Sequence, residues 1–270
     1  MRIDQLLVQR GLASTRSQAQ RLIASGVQFK QGEAWRRVAK NGDDVPEEAE
    51  LELLDDSEAR YVSRGGLKLQ AALAQVGLNV QGWQCLDVGQ STGGFTDCLL
   101  QHGAAFVVGV DVGSAQLHPQ LRADPRVLCV EGVNARALDA SDLIAAYADS
   151  TSAEGQFDLE EEAESAEFVP EFDLLVADLS FISQTLVLPA VVPLLKSGGR
   201  LLTLVKPQFE LQPGQVGKGG IVKDASMFPL VEQRLREACA ELGLKVTHWF
   251  DSPIAGGDGN REFFIAATKI

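Results

Sequence analysis

"KLQAALAQVGLNVQGWQCLDVGQSTGGFTDCLLQHGAAFVVGVDVG", residues 68–113, sets a glycine cluster between two apolar runs and reaches an acid at Asp111. The runs are dense in Val and Leu on both parities, the pattern of parallel strands buried on both faces. "LDVG" therefore ends one strand, and the helix that follows offers its N-terminus to a ligand. Gly89, Gly93 and Gly94 allow a close backbone turn, and Asp87 stands two residues before the first of them. Asp111 ends the next strand, where a carboxylate accepts the two hydroxyls of a ribose in NAD or in S-adenosylmethionine alike. NAD folds favour G-x-G-x-x-G, whereas this loop has a form common in methyltransferases. It points to S-adenosylmethionine, with a dinucleotide and a ligand-free turn as alternatives. Ser91, Phe95, Val112, Asn134 and Asp178 complete the candidate cofactor set.

The same alternation continues through "RVLCVEGV", "FDLLVADLS", "RLLTLVKP", "KVTHWFDSP" and "REFFIAATKI". Helices are expected at 64–76, 94–102, 115–121, 139–148, 184–195 and 226–242, with Pro189 and Pro193 weakening the fifth. This is a doubly wound α/β domain with a seven-stranded, mostly parallel sheet. With the usual methyltransferase strand order, the fourth, fifth and seventh strands are neighbours and the seventh is antiparallel. Asp178, Lys206 and Glu262 then converge beside the cofactor cleft, and Lys68 on the entering helix approaches the same point. Each alone reads as an ordinary surface or ion-pair residue; unpaired charges beside apolar strands are costly, so together they would neutralise one another.

The chain of 270 residues, 45% hydrophobic, suffices for one sizeable core and a small satellite domain. No stretch has the roughly 18 unbroken apolar residues of a membrane span, and the N-terminus lacks the features of a signal peptide, so a cytoplasmic protein is expected. Cys85, Cys98, Cys129 and Cys239 lack disulfide or zinc spacing and read as free thiols, and no metal site is expected. His102, His118 and His248 are isolated from one another. Trp35 and Trp83 read as packing residues, and Tyr61, where the linker meets the larger domain, either packs there or transmits RNA docking to the cofactor site.

A net charge of −13 argues against a nucleic-acid partner until its distribution is followed. Ala137 to Leu195 carries no Lys or Arg and 13 of the 37 acids, leaving 24 acids against 24 bases elsewhere. Much of the excess lies in an acidic insertion at about 152–172, too polar to pack and read as a solvated loop. The first 40 residues instead hold eight bases against two acids, Asp4 and Glu33. Ile3, Leu6, Leu7 and Leu12, then Ala19, Leu22 and Ile23, fit two short amphipathic helices, the second capped by Ser14 or Thr15 and stopped by Gly26. "VQFK" and "LELL" read as strands. Arg16, Gln20 and Arg21 share one helix side, suited to phosphates of a folded RNA; Arg2, Lys30, Arg64 and Lys218 extend the candidate RNA-binding set. Lys218 lies on "QPGQVGKGGIVKD", a lid over RNA or a plain loop.

"RIDQLLVQRGLASTRSQAQRLIASGVQFKQG" resembles the S4 RNA-binding module. Lys68, Asp178, Lys206 and Glu262 resemble the Lys-Asp-Lys-Glu tetrad of FtsJ-like RNA 2'-O-methyltransferases. With "YVSRGGLKL", "CLDVGQSTGGFTDCLL", "DLSFIS", "LVKPQFE", "VGKGGIVKD" and "DGNREFF", the chain resembles the TlyA (haemolysin A) family of ribosomal RNA methyltransferases. The departures are the acidic insertion and Gln90 in the glycine loop. The resemblance implies an S4-like domain at 1–58, a linker at 59–63 and a class I, Rossmann-like methyltransferase domain at 64–270. It also implies methyl transfer from S-adenosylmethionine to a cytidine ribose 2'-hydroxyl of ribosomal RNA, with Lys206 as base or orienting group, Lys68 positioning substrate, and Asp178 and Glu262 orienting the lysines. A monomer acting on a ribosomal subunit, away from membranes, is expected. A non-catalytic assembly factor and a haemolysin are the rival readings; the intact tetrad speaks against the first, and the lack of an apolar span against the second.

Overall fold

The computed structural model describes residues 1–55, 59–153, 168–254, 256 and 259–270. Most of the acidic insertion, and the junction expected at 58, lie outside them. The chain divides into two compact units, Met1–Leu67 and Lys68–Ile270.

In the first unit, helices α1 (Ile3–Gln9) and α2 (Arg16–Gly26) precede strands β1 (Val27–Gln31), β2 (Ala34–Arg37) and β3 (Leu51–Leu53). The sheet is antiparallel in the order β2-β1-β3. Ile3, Leu6, Leu7, Ala19, Leu22 and Ile23 form its core, as the helical spacing requires. Thr15 is the cap of α2, accepting from the Gln18 amide at 3.2 Å. Gly26 ends that helix at φ +134°, where a Cβ would meet the Leu54 side chain at 3.1 Å. Strand β2 was not expected: "AWRR" is exposed throughout and pairs only with β1, so it carries no buried alternation.

Asp4, one of the two acids in the basic segment, is fully buried. It accepts from Arg2 Nε (3.0 Å), Arg2 Nη2 (2.9 Å) and Arg16 Nη2 (2.9 Å). These bonds hold its carboxyl well below the usual carboxylate range. A lowered folded value contributes stability at neutral pH that is lost as the pH falls through and below the ordinary carboxylate range. Asp4→Ala should therefore lower the melting temperature of this unit by roughly 5 °C, with the difference from wild type shrinking in acid; thermal melts at neutral and acidic pH check both.

Helix α3 (Arg64–Val76) leads into the larger unit. There strands β4 (Gln84–Val88), β5 (Phe106–Asp111), β6 (Val127–Glu131), β7 (Phe172–Ala177), β8 (Leu195–Val205), β9 (Leu244–Asp251) and β10 (Phe263–Lys269) form one sheet ordered β6-β5-β4-β7-β8-β10-β9. The first five run parallel, and β10 is antiparallel to both its neighbours. This is the seven-stranded arrangement of an α/β class I methyltransferase, as expected. Leu86, Val108, Leu175, Leu201 and Ile265 sit at its centre, all fully buried.

Helices α4 (Gly94–Gln101), α6 (Ala140–Ala153) and α9 (Met227–Glu241) fall at or near their expected positions. Two others need correction. In place of 115–121, only α5 (Pro119–Arg122) forms, because Ala115 has φ +58° and the residue before a proline avoids the helical region. The expected 184–195 helix breaks into a 3-10 turn at 184–186, α7 (Leu188–Val191) and a second 3-10 turn at 192–194. Pro189 and Pro193 each open a new turn, because neither can donate within an older one.

Candidate active site

The strand order brings the C-terminal ends of β4, β5, β7 and β8 to one edge of the sheet. At the end of β4 Asp87 is 1% exposed. Its Oδ2 accepts from the Thr96 amide (3.0 Å) and hydroxyl (2.7 Å), while Oδ1 has no hydrogen-bond partner. Burial, with Asp178 and Asp111 nearby, outweighs those bonds and pushes the Asp87 carboxyl up to about 7. Gln90 is buried, donates to Thr96 Oγ1 at 2.9 Å and fills the space over Gly109. Its side chain thus buttresses the threonine that holds Asp87.

Gly89 and Gly93 take φ of +83° and +92°, and a Cβ on Gly89 would lie 3.0 Å from the Asp178 carbonyl oxygen. Both need glycine for conformation and for space, since a Cβ on Gly93 would collide with Leu121 Cδ1. Gly94 starts α4. Asp111 accepts from the Ser91 amide on Oδ2 (2.8 Å) and from the Gly113 amide on Oδ1 (2.7 Å), which fixes its orientation and leaves each oxygen a further lone pair. Val112 beside it is 74% exposed, an apolar face turned to solvent. Phe95 is buried, and Asn134 uses its Oδ1 to accept from the Arg136 amide at 3.1 Å. An orphaned buried carboxylate oxygen, a glycine turn and an oriented acid at the neighbouring strand suit a cationic nucleoside such as S-adenosylmethionine.

The tetrad residues form two ion pairs. Lys68 Nζ donates to Glu262 Oε2 at 2.5 Å, and the two side chains are 9% and 4% exposed. Lys206 Nζ lies 2.6 Å from Asp178 Oδ1 without the alignment of a hydrogen bond, and donates to Ser180 Oγ at 2.9 Å. Phe263 pairs with Val205 across the antiparallel ladder, so Glu262 and Lys206 leave it side by side. Phe181 stands 91% exposed at φ +65° and packs on Phe209, ring centroids 5.1 Å apart.

A family model described as FtsJ-like methyltransferase matches residues 61–269. The chain belongs to that family. Its methyl donor is S-adenosylmethionine, which the site geometry fits. The S4 domain model matches residues 1–26 of this methyltransferase. A "16S/23S rRNA (cytidine-2'-O)-methyltransferase TlyA" of Mycobacterium tuberculosis is 40% identical over 98% of this chain and 88% of its own. "Hemolysin A" of Brachyspira hyodysenteriae is 35% identical over 97% of this chain and 98% of its own. A solved Streptococcus thermophilus structure described as a hemolysin covers the whole chain and 88% of its own, at 37% identity and a TM-score of 0.69. No helix among the described residues is long and apolar enough to cross a membrane, and no cluster there could hold a metal ion.

Of the candidate RNA-binding residues, Gln20 and Lys218 are exposed, while Arg21 and Arg64 are half-buried. Lys30 is exposed but pairs with Glu50 at 3.1 Å, and Arg2 and Arg16 are tied to Asp4. The sequence reading missed Ser180, Phe181 and the buried Glu210. They lie within "DLSFIS" and "LVKPQFE", but those strings give no role to the individual residues.

Proposed function

We propose that this methyltransferase transfers a methyl group from S-adenosylmethionine to the ribose 2'-hydroxyl of a cytidine in ribosomal RNA, acting as a monomer on ribosomal particles in the cytoplasm. The observation that carries the reading is the double ion pair, Lys206 with Asp178 at the ends of β8 and β7, and Lys68 on α3 with Glu262 just before β10. The S4 match at residues 1–26 and the reaction named for the mycobacterial relative support RNA as the acceptor.

Asp111 would accept the cofactor's ribose hydroxyls, the backbone at Gly89, Gly93 and Gly94 would approach it closely, and the free Asp87 oxygen would face its positive charge. When bound, the cofactor supplies an electrophilic methyl group on a sulfonium. A ribose hydroxyl is a poor nucleophile and must lose its proton as it attacks; Lys206, in its neutral form, takes that proton at Nζ. Asp178 and Ser180 hold the amine in place. Lys68 offsets the negative charge developing on the oxygen, and Glu262 fixes Lys68. Arg2, Arg16, Gln20, Arg21, Lys30, Arg64 and Lys218 would contact the RNA, chiefly through phosphates. The test is transfer of labelled methyl groups to ribosomal particles from a strain lacking the gene, followed by mapping of the product. A 2'-O-methylcytidine is expected; a base-methylated product or unlabelled RNA would refute the reading.

The Asp87 carboxyl adds a pH dependence. With its folded value raised from 3.8 to about 7, its contribution to stability is complete below about pH 4 and is lost as the pH rises through 7. A cationic cofactor favours the ionised acid, so affinity should fall below pH 7 by up to about tenfold per unit. Calorimetry across this range should show that slope, and Asp87→Asn should flatten it. An undiminished slope in Asp87→Asn would remove Asp87 from the cofactor site.

A further inference from the structure

We propose that Glu210 is a positioning residue for the Lys206 and Asp178 pair, fastening the loop that follows Asp178 to the turn that follows Lys206. The inference rests on the reading of that pair as the reacting centre.

The segment 178–183 leaves β7, and Lys206 leads from β8 into the short helix α8 (Pro207–Glu210). The two segments touch at the mouth of the site through the Lys206 contacts to Asp178 and Ser180, and again where the Phe209 ring packs on Phe181. Behind them, Glu210 is 3% exposed. Its Oε1 accepts from the Gln184 amide at 2.8 Å, and its Oε2 accepts from the Ser183 hydroxyl at 2.5 Å. Gln184 is itself buried: its Nε2 donates to the Leu204 carbonyl and its Oε1 accepts from Thr203 Oγ1, both at 2.7 Å. The far end of the Asp178 loop is thereby bolted to β8, the strand that delivers Lys206. Arg234 on α9 donates to the Glu210 carbonyl oxygen at 2.6 Å and holds its backbone.

Packing alone does not call for a carboxylate here. Burial disfavours its charged form and raises its pKa, and an apolar side chain would fill the space without that desolvation cost. A carboxylate supplies direction instead, two acceptors at a fixed separation, each receiving a donor from the Asp178 loop. Displacement of a reacting group by about 1 Å can cost about 10²-fold in rate, so a rigid tie at this point has a catalytic consequence.

The experiment uses the full chain with Glu210→Gln, which keeps the volume but turns an amide N–H₂ against one of the two donors, and with Ser183→Ala, which deletes one donor at less risk to folding. Single-turnover methyl transfer is followed as a function of pH, with cofactor affinity by calorimetry and thermal melts alongside. In Glu210→Gln the maximal rate should fall roughly tenfold while cofactor affinity is unchanged. The pH of half-maximal rate should shift as well, because the Asp178 carboxylate is no longer held in place against the Lys206 amine; the Lys68 and Glu262 charges at the same edge stay as they were. Ser183→Ala should shift it the same way, with the double variant less than additive. A wild-type rate and pH midpoint in folded Glu210→Gln and Ser183→Ala proteins would overturn the proposal. So would a rate loss that follows the unfolded fraction with the midpoint unmoved, the mark of packing only. A Lys206→Ala protein that keeps its turnover would instead overturn the underlying reading of the pair.

Discussion

Alanine at position 206 is expected to cut methyl transfer by at least about 10²-fold, the contribution of a positioned proton-transfer group, with cofactor and RNA binding little changed. Lys206 ends β8 with its side chain 13% exposed, between the Asp178 carboxylate and the Ser180 hydroxyl. Removing it leaves the Asp178 carboxylate, 26% exposed, within reach of water, so the fold should survive a change that removes the proposed proton acceptor. Asp178→Ala and Glu262→Ala should also lose activity. Double substitutions within the tetrad should fall short of additivity, because each lysine is paired with its own acid and, in the proposed mechanism, the two pairs serve one step. Single-turnover transfer of labelled methyl groups to ribosomal RNA, with melts to verify folding, measures all of these. Near wild-type turnover in folded Lys206→Ala would leave Lys68 as the candidate base.

What could be read from the sequence was whatever recurs with a period or a fixed offset. Apolar runs on both parities mark β4, β5, β7 and β8 as buried strands, and the usual methyltransferase strand order, which the sheet follows, carries Asp178, Lys206 and Glu262 to one edge. The Gly89 to Gly94 turn was legible because Gly89 and Gly93 are required by φ, and Gly89 also by the approach of the Asp178 backbone. Strand β2 was not, because an exposed edge such as "AWRR" has no apolar alternation. The 115–121 helix failed on a positive φ at Ala115, which composition does not encode, and on His118 preceding Pro119, which the sequence does show. Asp4 and Glu210 were missed for a shared reason: an acid in a sequence reads as a surface residue, and only the fold reveals that three arginine N–H groups converge on one and two donors on the other. Gln90, a departure from the family loop when seen in sequence, proves to be a packing and hydrogen-bonding support for Thr96. Such support depends on which strand lies beneath, and the sequence does not carry that locally.

Removing residues 1–58 should abolish methylation of ribosomal particles while leaving S-adenosylmethionine binding largely intact. The larger unit keeps its own core without them, since the buried cluster around Leu86, Leu175, Leu201 and Ile265 draws only on residues from 86 onward. The cofactor set and both ion pairs also lie beyond the cut. The lost segment has eight bases against two acids in its first 40 residues, on a chain whose overall charge of −13 would otherwise repel a polyanion. Burial of Asp4 strengthens the argument: it spends one of those acids inside the fold and fixes the guanidinium groups of Arg2 and Arg16, whose side chains remain 46% and 55% exposed. Arginines already held in place lose less side-chain entropy on meeting a phosphate. Docking through phosphates releases counterions, so the affinity of the full chain for ribosomal RNA should fall log-linearly with salt, by about 0.7 to 0.9 log units per contact for each tenfold rise. Filter binding at several salt concentrations and methyl transfer by the truncated protein check the two halves of this prediction. A truncated protein that methylates ribosomal RNA as fast as the whole chain, or an affinity indifferent to salt, would show that the basic segment does not dock the substrate.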